Sequence, residues 1–237
     1  MTGAPASGRA EEIAEGLRAQ ILSGKYGPGE RLPSERELSV RLAVNRSSVR
    51  EALKKLEQLG MIAIRRGGGA RVVPMQQAGL GVLRHALGAK APGRELVAQW
   101  LDVREIVIAG AARFAVERGS SEEFSEAKRL LRKLVAPGLD DDEFVAAGDR
   151  LTAFIAGASR NVVLQMVSNG LTAAAQRHVD ARQKSRPTRK ELLPLVSEIE
   201  RAMDERDPVA AEEGVRRLLR MNRAMVIDLV AGQSGDN

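Results

Sequence analysis

Apolar residues recur at helical spacing along most of the chain. From Ala10 to Ser23, Ile13, Leu17, Ile21 and Leu22 share one face with Ala14 beside them, and Gly24 ends the helix. Tyr26-Gly27-Pro28-Gly29 is turn chemistry. Ser34 caps a second helix with Glu37 as its reciprocal partner three residues on, and that helix runs to about Leu42. After a break at Ala43-Val44, Asn45 or Ser47 caps a third helix, in which Val49, Ala52, Leu53, Leu56 and Leu59 share a face and Gly60 closes the run. Met61 to Ile64 and Arg71 to Val73 read as two short strands around the turn Arg66-Gly67-Gly68-Gly69. Beyond residue 79, amphipathic segments follow at Leu80–Leu87, Arg94–Glu117, Ser121–Leu134, Asp140–Gly157, Asn161–Lys184, Thr188–Glu205 and Pro208–Leu229, with breaks at Gly and Pro clusters.

This order predicts a mainly α protein. An N-terminal winged helix-turn-helix with a small β-hairpin wing precedes an all-α antiparallel bundle. The expected layout is a flexible N-terminus at 1–9, the winged helix at 10–74, a linker at 75–79, a helical effector-binding and dimerisation domain at 80–230 and a flexible tail at 231–237. Packing the apolar face of the third helix inward aims Arg46, Ser47, Ser48 and Arg50 outward at its N-terminal end, the end a recognition helix inserts into a major groove. Arg can bond guanine O6 and N7 bidentately, while Ser hydroxyls and helix-end amides suit phosphates. Arg36 is placed for the flanking backbone or groove, and Arg65 and Arg66 precede a glycine tip suited to the minor groove.

Charge sharpens this division. The chain of 237 residues carries a net charge of +6. Residues 1–74 hold 13 Lys and Arg against 8 Asp and Glu, whereas the remainder is nearly balanced at 24 against 23. A basic module beside a neutral one points to a polyanion for the first only. An apolar content of 43% is enough for a buried core. With no Cys and only His85 and His178, the chain lacks thiol chemistry, and a His-rich metal site or a His-centred triad has little to draw on. Aromatics at 3% argue against a base-stacking platform for single strands. No Ser nucleophile has a convincing His or elbow motif, and Gly67-Gly68-Gly69 lacks the Lys-Ser/Thr of a phosphate loop, so no enzyme is expected. No apolar run approaches membrane-spanning length and no secretory signal opens the chain, so a cytoplasmic protein is expected.

The run Gly29 to Leu38, the run Val44 to Leu53 with Leu56 and Leu59-Gly60, and the wing Arg66 to Val72 resemble the signature of the GntR superfamily of bacterial transcription regulators. The match covers about 65 residues. It implies a DNA interface drawn from Arg36, Asn45, Arg46, Ser47, Ser48, Arg50, Arg65, Arg66 and Gly67, and a homodimer on a short palindromic operator of double-stranded DNA. Repression is the expected mode. A helical scaffold using the winged helix for protein contacts is the alternative.

The second half resembles the ligand domain of the FadR subfamily at Leu101 to Arg104, Ala158 to Asn161 and Ala202 through Asp207 to Ala211. Many members hold a divalent metal with one Asp and three His. The corresponding positions here are Gly148, Thr152, Val196 and Leu218, so no metal or other cofactor is expected. Members without the metal include one that binds a long-chain acyl-CoA. Ser168 to Leu171 and Gln176 to His178 are similar to its helix, whereas Leu219, Met221, Asn222 and Val226 differ from its contact residues. The expected effector is a fatty acyl-CoA, a fatty acid or another apolar carboxylic ligand, with a regulator of small-carboxylate metabolism as the alternative. Arg104, Asn169, Gln176 and Arg177 are the candidate polar contacts. Asp140 to Glu143 reads as a helix N-terminus, and Met221 with Met225 reads as core.

Overall fold

The computed structural model describes residues 6–65, 68–89, 92–175, 183–221 and 223–232. The chain divides into two compact units, Met1–Ala89 and Lys90–Asn237.

The first unit contains α1 (Ala6–Leu22), α2 (Glu35–Arg41), α3 (Arg46–Gln58), β1 (Ile62–Arg65), β2 (Gly69–Val72) and α4 (Leu80–Leu87). Its core joins Ile13, Ala14 and Leu17 of α1, Leu38 of α2 and Val49, Ala52, Leu53 and Leu56 of α3 with Met61, Ile62, Ala70 and Val72 around the hairpin. The strands are antiparallel, with Ile62 opposite Val72 and Arg65 opposite Gly69. The stretch before α2 lies along the outer edge of β2. Leu32 N–H donates to Ala70 O and Val72 N–H to Glu30 O, both at 2.9 Å.

The α4 segment differs from the expected domain boundary. It packs within the first unit, where Val82 enters the core. Arg18 of α1 is itself buried and lies 3.2 Å from His85 Nδ1. The break at 75–79, marked in sequence by polar residues and Gly79, is a 3₁₀ turn, Met75–Gln77, inside this unit.

The second unit contains α5 (Arg94–Arg118), α6 (Ser121–Leu134), α7 (Asp141–Ala158), α8 (Val162–Ala175), α9 (Arg189–Asp204), α10 (Pro208–Arg220) and α11 (Arg223–Gly232). The long α5 runs through its middle and packs on α7, α8, α10 and α11. Capping boxes start α6 (Ser120 with Glu123), α7 (Asp140 with Glu143) and α9 (Thr188 with Glu191). The acidic run at 140–143 is therefore a helix start. Gly214 of α10 sits so close to α9 that an added Cβ would meet Ile199 Cγ1 at 2.7 Å, which accounts for a glycine in a helix interior.

One helix boundary departs from the periodicity. The segment from Pro208 is two helices, because Met221 adopts φ −57° and ψ 131° and ends α10. No Gly or Pro marks that break in the sequence. Met225, expected in the core, is exposed on α11. The segment from Asn161 is helical to Ala175, and residues 176–182 lie outside the described ones.

One buried carboxylate ties the middle helix to α10. Glu105 is 7% exposed. Its Oε1 accepts from Arg216 at 3.1 Å, and both oxygens accept from Arg220 at 2.9 Å. The Arg220 hydrogen bonds foremost hold the Glu105 carboxyl below the ordinary carboxylate range. A depressed folded-state pKa contributes stability above the unfolded pKa, which is lost as pH falls through the folded one. Glu105→Gln is expected to cost about 1–3 kcal/mol near neutrality, since it leaves two arginines facing a neutral amide. The gap to wild type should narrow below about pH 4 in denaturant titrations of the full chain. A gap independent of pH would exclude this role for the carboxylate.

Candidate nucleic-acid interface

The helix pair α2–α3 is fixed at both starts by side chains. Ser34 accepts from Glu37 N–H, and the Glu37 carboxylate accepts from Ser34 N–H at 2.7 Å. Asn45 is the cap of α3. Its Oδ1 accepts from Ser48 N–H at 2.7 Å and from the Ser47 hydroxyl at 2.9 Å. Between the helices, Ala43 takes a positive φ of 50°, and the Ser39 hydroxyl donates to Val44 O at 2.6 Å. These contacts bring the chain round sharply enough for α3 to cross α2.

Because Val49, Ala52 and Leu56 are fully buried, the opposite face of α3 carries Arg46, Ser47 and Arg50 outward, and all three are exposed. Arg36 on α2 is exposed as well. Ser48 departs from the expectation. It is 3% exposed, because it is adjacent to Val49 on the inward side of the first turn. Arg50 is not extended freely into solvent. Its Nε and Nη2 donate to Glu35 of α2 at 3.1 and 2.9 Å. That hydrogen bond lowers the Glu35 pKa and raises that of Arg50, and Arg46 adds a Coulomb contribution at Glu35.

The wing is tied back to α3, since Ile64 N–H donates to the Glu57 carboxylate at 2.9 Å. Arg65, at the end of β1, is exposed. Arg66 and Gly67 lie outside the described residues. Two further arginines join the hairpin edge. Arg31 pairs across from Arg71, and Arg71 Nη1 donates to Gly29 O at 3.0 Å. Gly69 has φ +73°, and a Cβ there would meet the Arg31 guanidinium at 2.8 Å. Arg31 thus lies against the wing backbone.

A second candidate site lies in the second unit. A cavity of about 150 Å³ is lined by Trp100, Arg104, Phe144, Gly148, Leu219, Met221, Arg223 and Val226, among others. Arg104 Nε is buried. Arg223 donates to Ala98 O at 3.0 Å and pairs with Asp102 at 2.8 Å. The expected contact Asn169 is elsewhere. Ser168, Leu171 and Ala174 form the inward face of α8, which leaves Asn169 exposed. Gln176 and Arg177 lie outside the described residues. Of the four metal-ligand positions, Gly148 borders this cavity, Thr152 is buried, and Val196 and Leu218 pack in the apolar core. Among the described residues, no three His, Cys, Asp or Glu are grouped to hold a metal. A separate cavity between α5, α6, α7, α9 and α10, lined by apolar side chains apart from Glu123, measures about 40 Å³.

The family model for bacterial regulatory proteins of the gntR family matches residues 9–72, and the FCD domain model matches residues 99–221. The chain belongs to the GntR family. Its second unit contains an FCD domain, the ligand module of the FadR-like subfamily. Over 231 residues it is 28% identical to the galactonate operon transcriptional repressor of Escherichia coli strain K12, covering 96% of this chain and 89% of that one. Over 137 residues it is 33% identical to the transcriptional repressor NanR of Klebsiella aerogenes, covering 56% of this chain and 51% of that one. The solved structure of Lar, which controls the expression of the Listeria monocytogenes agr system, superposes with a TM-score of 0.58 at 16% identity, covering 92% of this chain and 95% of Lar. At that identity the likeness concerns the fold alone.

As a GntR-family member the chain is a transcription regulator and not an enzyme. No helix among the described residues is long and apolar enough to cross a membrane. Sequence reasoning missed Glu35, whose ion pair with Arg50 joins residues 15 apart, and Arg31, which the hairpin brings beside Arg71. Neither pairing has a local spacing signal. Asn45, a candidate contact residue, already uses its carbonyl oxygen as the α3 cap. Asn45→Ala is therefore expected to cost about 1 kcal/mol of stability, whereas Asn45→Ser and Asn45→Asp retain most of it. Denaturant titrations check the order, and an Ala variant as stable as the Ser variant would refute the capping role.

Proposed function

We propose that this GntR-family chain is a homodimeric, effector-responsive repressor acting in the cytoplasm on a short palindromic operator. The observation that carries the reading is the outward display of Arg46, Ser47 and Arg50 from the capped N-terminal turns of α3. In this reading Arg46 and Arg50 contact base edges, and Arg36, the amides of Arg46 and Ser47 and the Ser47 hydroxyl, once turned from Asn45, hold phosphates. Arg65, Arg66 and Gly67 serve the wing in the minor groove. A two-fold dimer places one α3 in each half-site. The exposed Val162, Val163 and Met166 of α8 are suited to contact between copies.

Arg46→Ala and Arg50→Ala are each expected to lose about 1–3 kcal/mol of operator affinity and to relax preference at one base position. Arg36→Ala should weaken all duplexes alike and lower the salt slope by about one. Fluorescence anisotropy against salt, on full operators and single half-sites, checks both sets. Unchanged preference in Arg50→Ala would show that the register of α3 is wrong, and equal affinity for half-sites would contradict the dimer.

The effector reading follows from the Arg104 cavity. A cationic group beside Trp100, Phe144 and Val226 suits a carboxylate with a compact apolar body. Leu219, Met221 and Val226, three positions corresponding to acyl-CoA contacts in the resembling subfamily, line it. A relative named for the galactonate operon supports an acid as well. Such a ligand shifts operator binding only by its differential affinity for the DNA-competent state. Arg104→Ala should weaken binding of the acid that releases the operator by roughly 10- to 100-fold, the worth of a charge-assisted hydrogen bond. DNA-release assays across small carboxylates, free fatty acids and acyl-CoAs, with native mass spectrometry, provide the check. Release by acyl-CoA alone, or stoichiometric zinc or nickel in the purified protein, would overturn this part.

A further inference from the structure

We infer that Glu35 is a specificity-setting positioning residue, which holds the Arg50 guanidinium so that its outer edge meets one guanine. The inference rests on the proposed role of Arg50 at a base edge. The two residues stand on different helices of the first unit, Glu35 at the start of α2 and Arg50 in α3. The contact is a side-on fork. Arg50 Nε donates to Glu35 Oε1 at 3.1 Å and Nη2 donates to Oε2 at 2.9 Å.

A guanidinium has five N–H donors in one plane. The fork to Glu35 uses the Nε–H and the neighbouring Nη2–H. It leaves three, both Nη1 hydrogens and the outer Nη2 hydrogen, and the adjacent Nη1–H and Nη2–H form the end-on pair that matches guanine O6 and N7. Glu35 therefore fixes the plane of the guanidinium without occupying the edge that would read the base. The carboxylate is itself anchored, because the residue before it is the Ser34 cap, closed by Glu37 in a capping box.

Stability gives little reason for the pair. Arg50 and Glu35 side chains are 59% and 35% exposed, and ion pairs so open to water contribute little to folding. A carboxylate beside a DNA-reading arginine also repels phosphates, so it lowers affinity for every duplex alike. A group that weakens binding in general and orders one arginine acts on discrimination. Losing that order costs on the order of two- to tenfold, the worth of immobilising one long side chain.

The test uses the full-length protein and a duplex selected by it in vitro from random sequence. For each base at the position read by Arg50, affinities are measured for wild type, Glu35→Gln, Glu35→Asp, Arg50→Ala and the Glu35→Gln/Arg50→Ala pair, with thermal melts as a check on folding. Glu35→Asp keeps the negative charge at the start of α2 but is one methylene too short for the fork. Both Glu35 variants are expected to narrow the guanine preference by two- to tenfold. Glu35→Gln should bind unrelated duplex as well as wild type or better, and should add nothing to the preference lost in Arg50→Ala. Preference lost in Arg50→Ala but intact in both Glu35 variants would overturn the positioning role alone. Preference intact in Arg50→Ala would overturn the reading of α3 and this inference with it. Stronger operator binding by Glu35→Gln with preference retained would show that Glu35 masks Arg50 and does not aim it.

Discussion

The display of arginines on α3 depends on the burial of its other face. Val49, Ala52 and Leu56 have no exposed surface, and each large apolar side chain so buried stabilises by about 1.5–3 kcal/mol. With a period of 3.6 residues, fixing that face fixes the opposite one. Arg46 and Arg50 fall four residues apart, one turn, on the outside. Any rotation of α3 that turned them inward would expose the core of the first unit and bury two cations. The orientation of the candidate DNA-reading side chains is thus a consequence of packing, and the capping contacts of Asn45 and Ser34 set where along the helix that face begins.

The second unit is organised differently. Its middle helix, α5, is apolar toward α7 and α10, yet it carries Glu105 into that packing. A lone buried carboxylate costs several kcal/mol, and two arginines from one neighbouring helix offset this. Arg216 and Arg220 lie four residues apart on α10 and close on a single acid, so they fix the rotation and register of α10 on α5. Gly214, two residues before Arg216, lets α10 approach α9 until only a hydrogen fits against Ile199. The ionic contact and the steric one therefore specify α10 from two sides.

Much of this was legible in the sequence because it is local. The capping box at Ser34–Glu37 is a three-residue spacing, the acidic run at 140–143 marks a helix start, and the apolar face of α3 recurs every three or four residues. The arginine triplet Arg36, Arg46 and Arg50 could be placed on the surface from those signals. What escaped was either non-local or unpunctuated. Ser48 looks like an outward residue by polarity but is adjacent to Val49 on the inner side. The α10–α11 break occurs at Met221 through backbone angles that no Gly or Pro announces. The α4 helix is amphipathic, and amphipathicity does not say which core it joins. That choice is made by Val82 meeting the first core and by Arg18 lying against His85. Asn169 was misplaced because a short polar side chain on a largely apolar helix fits either face.

The four positions equivalent to metal ligands gain meaning from their surroundings. Val196 and Leu218 contribute to a continuous apolar core, and Thr152 is buried beside it, so that region has the composition of packing. Only Gly148 borders open space, the cavity with Arg104 and Arg223. A divalent ion binds a carboxylate by coordination and needs several converging donors to be held itself. A guanidinium needs none, because its charge is covalent and its planar fork matches a carboxylate directly. In the proposed reading, ligand capture in this FCD domain therefore falls to arginines from α5 and α11. The side chain left out at Gly148 contributes to the room beside them, and Trp100 and Phe144 select for the apolar body of the acid.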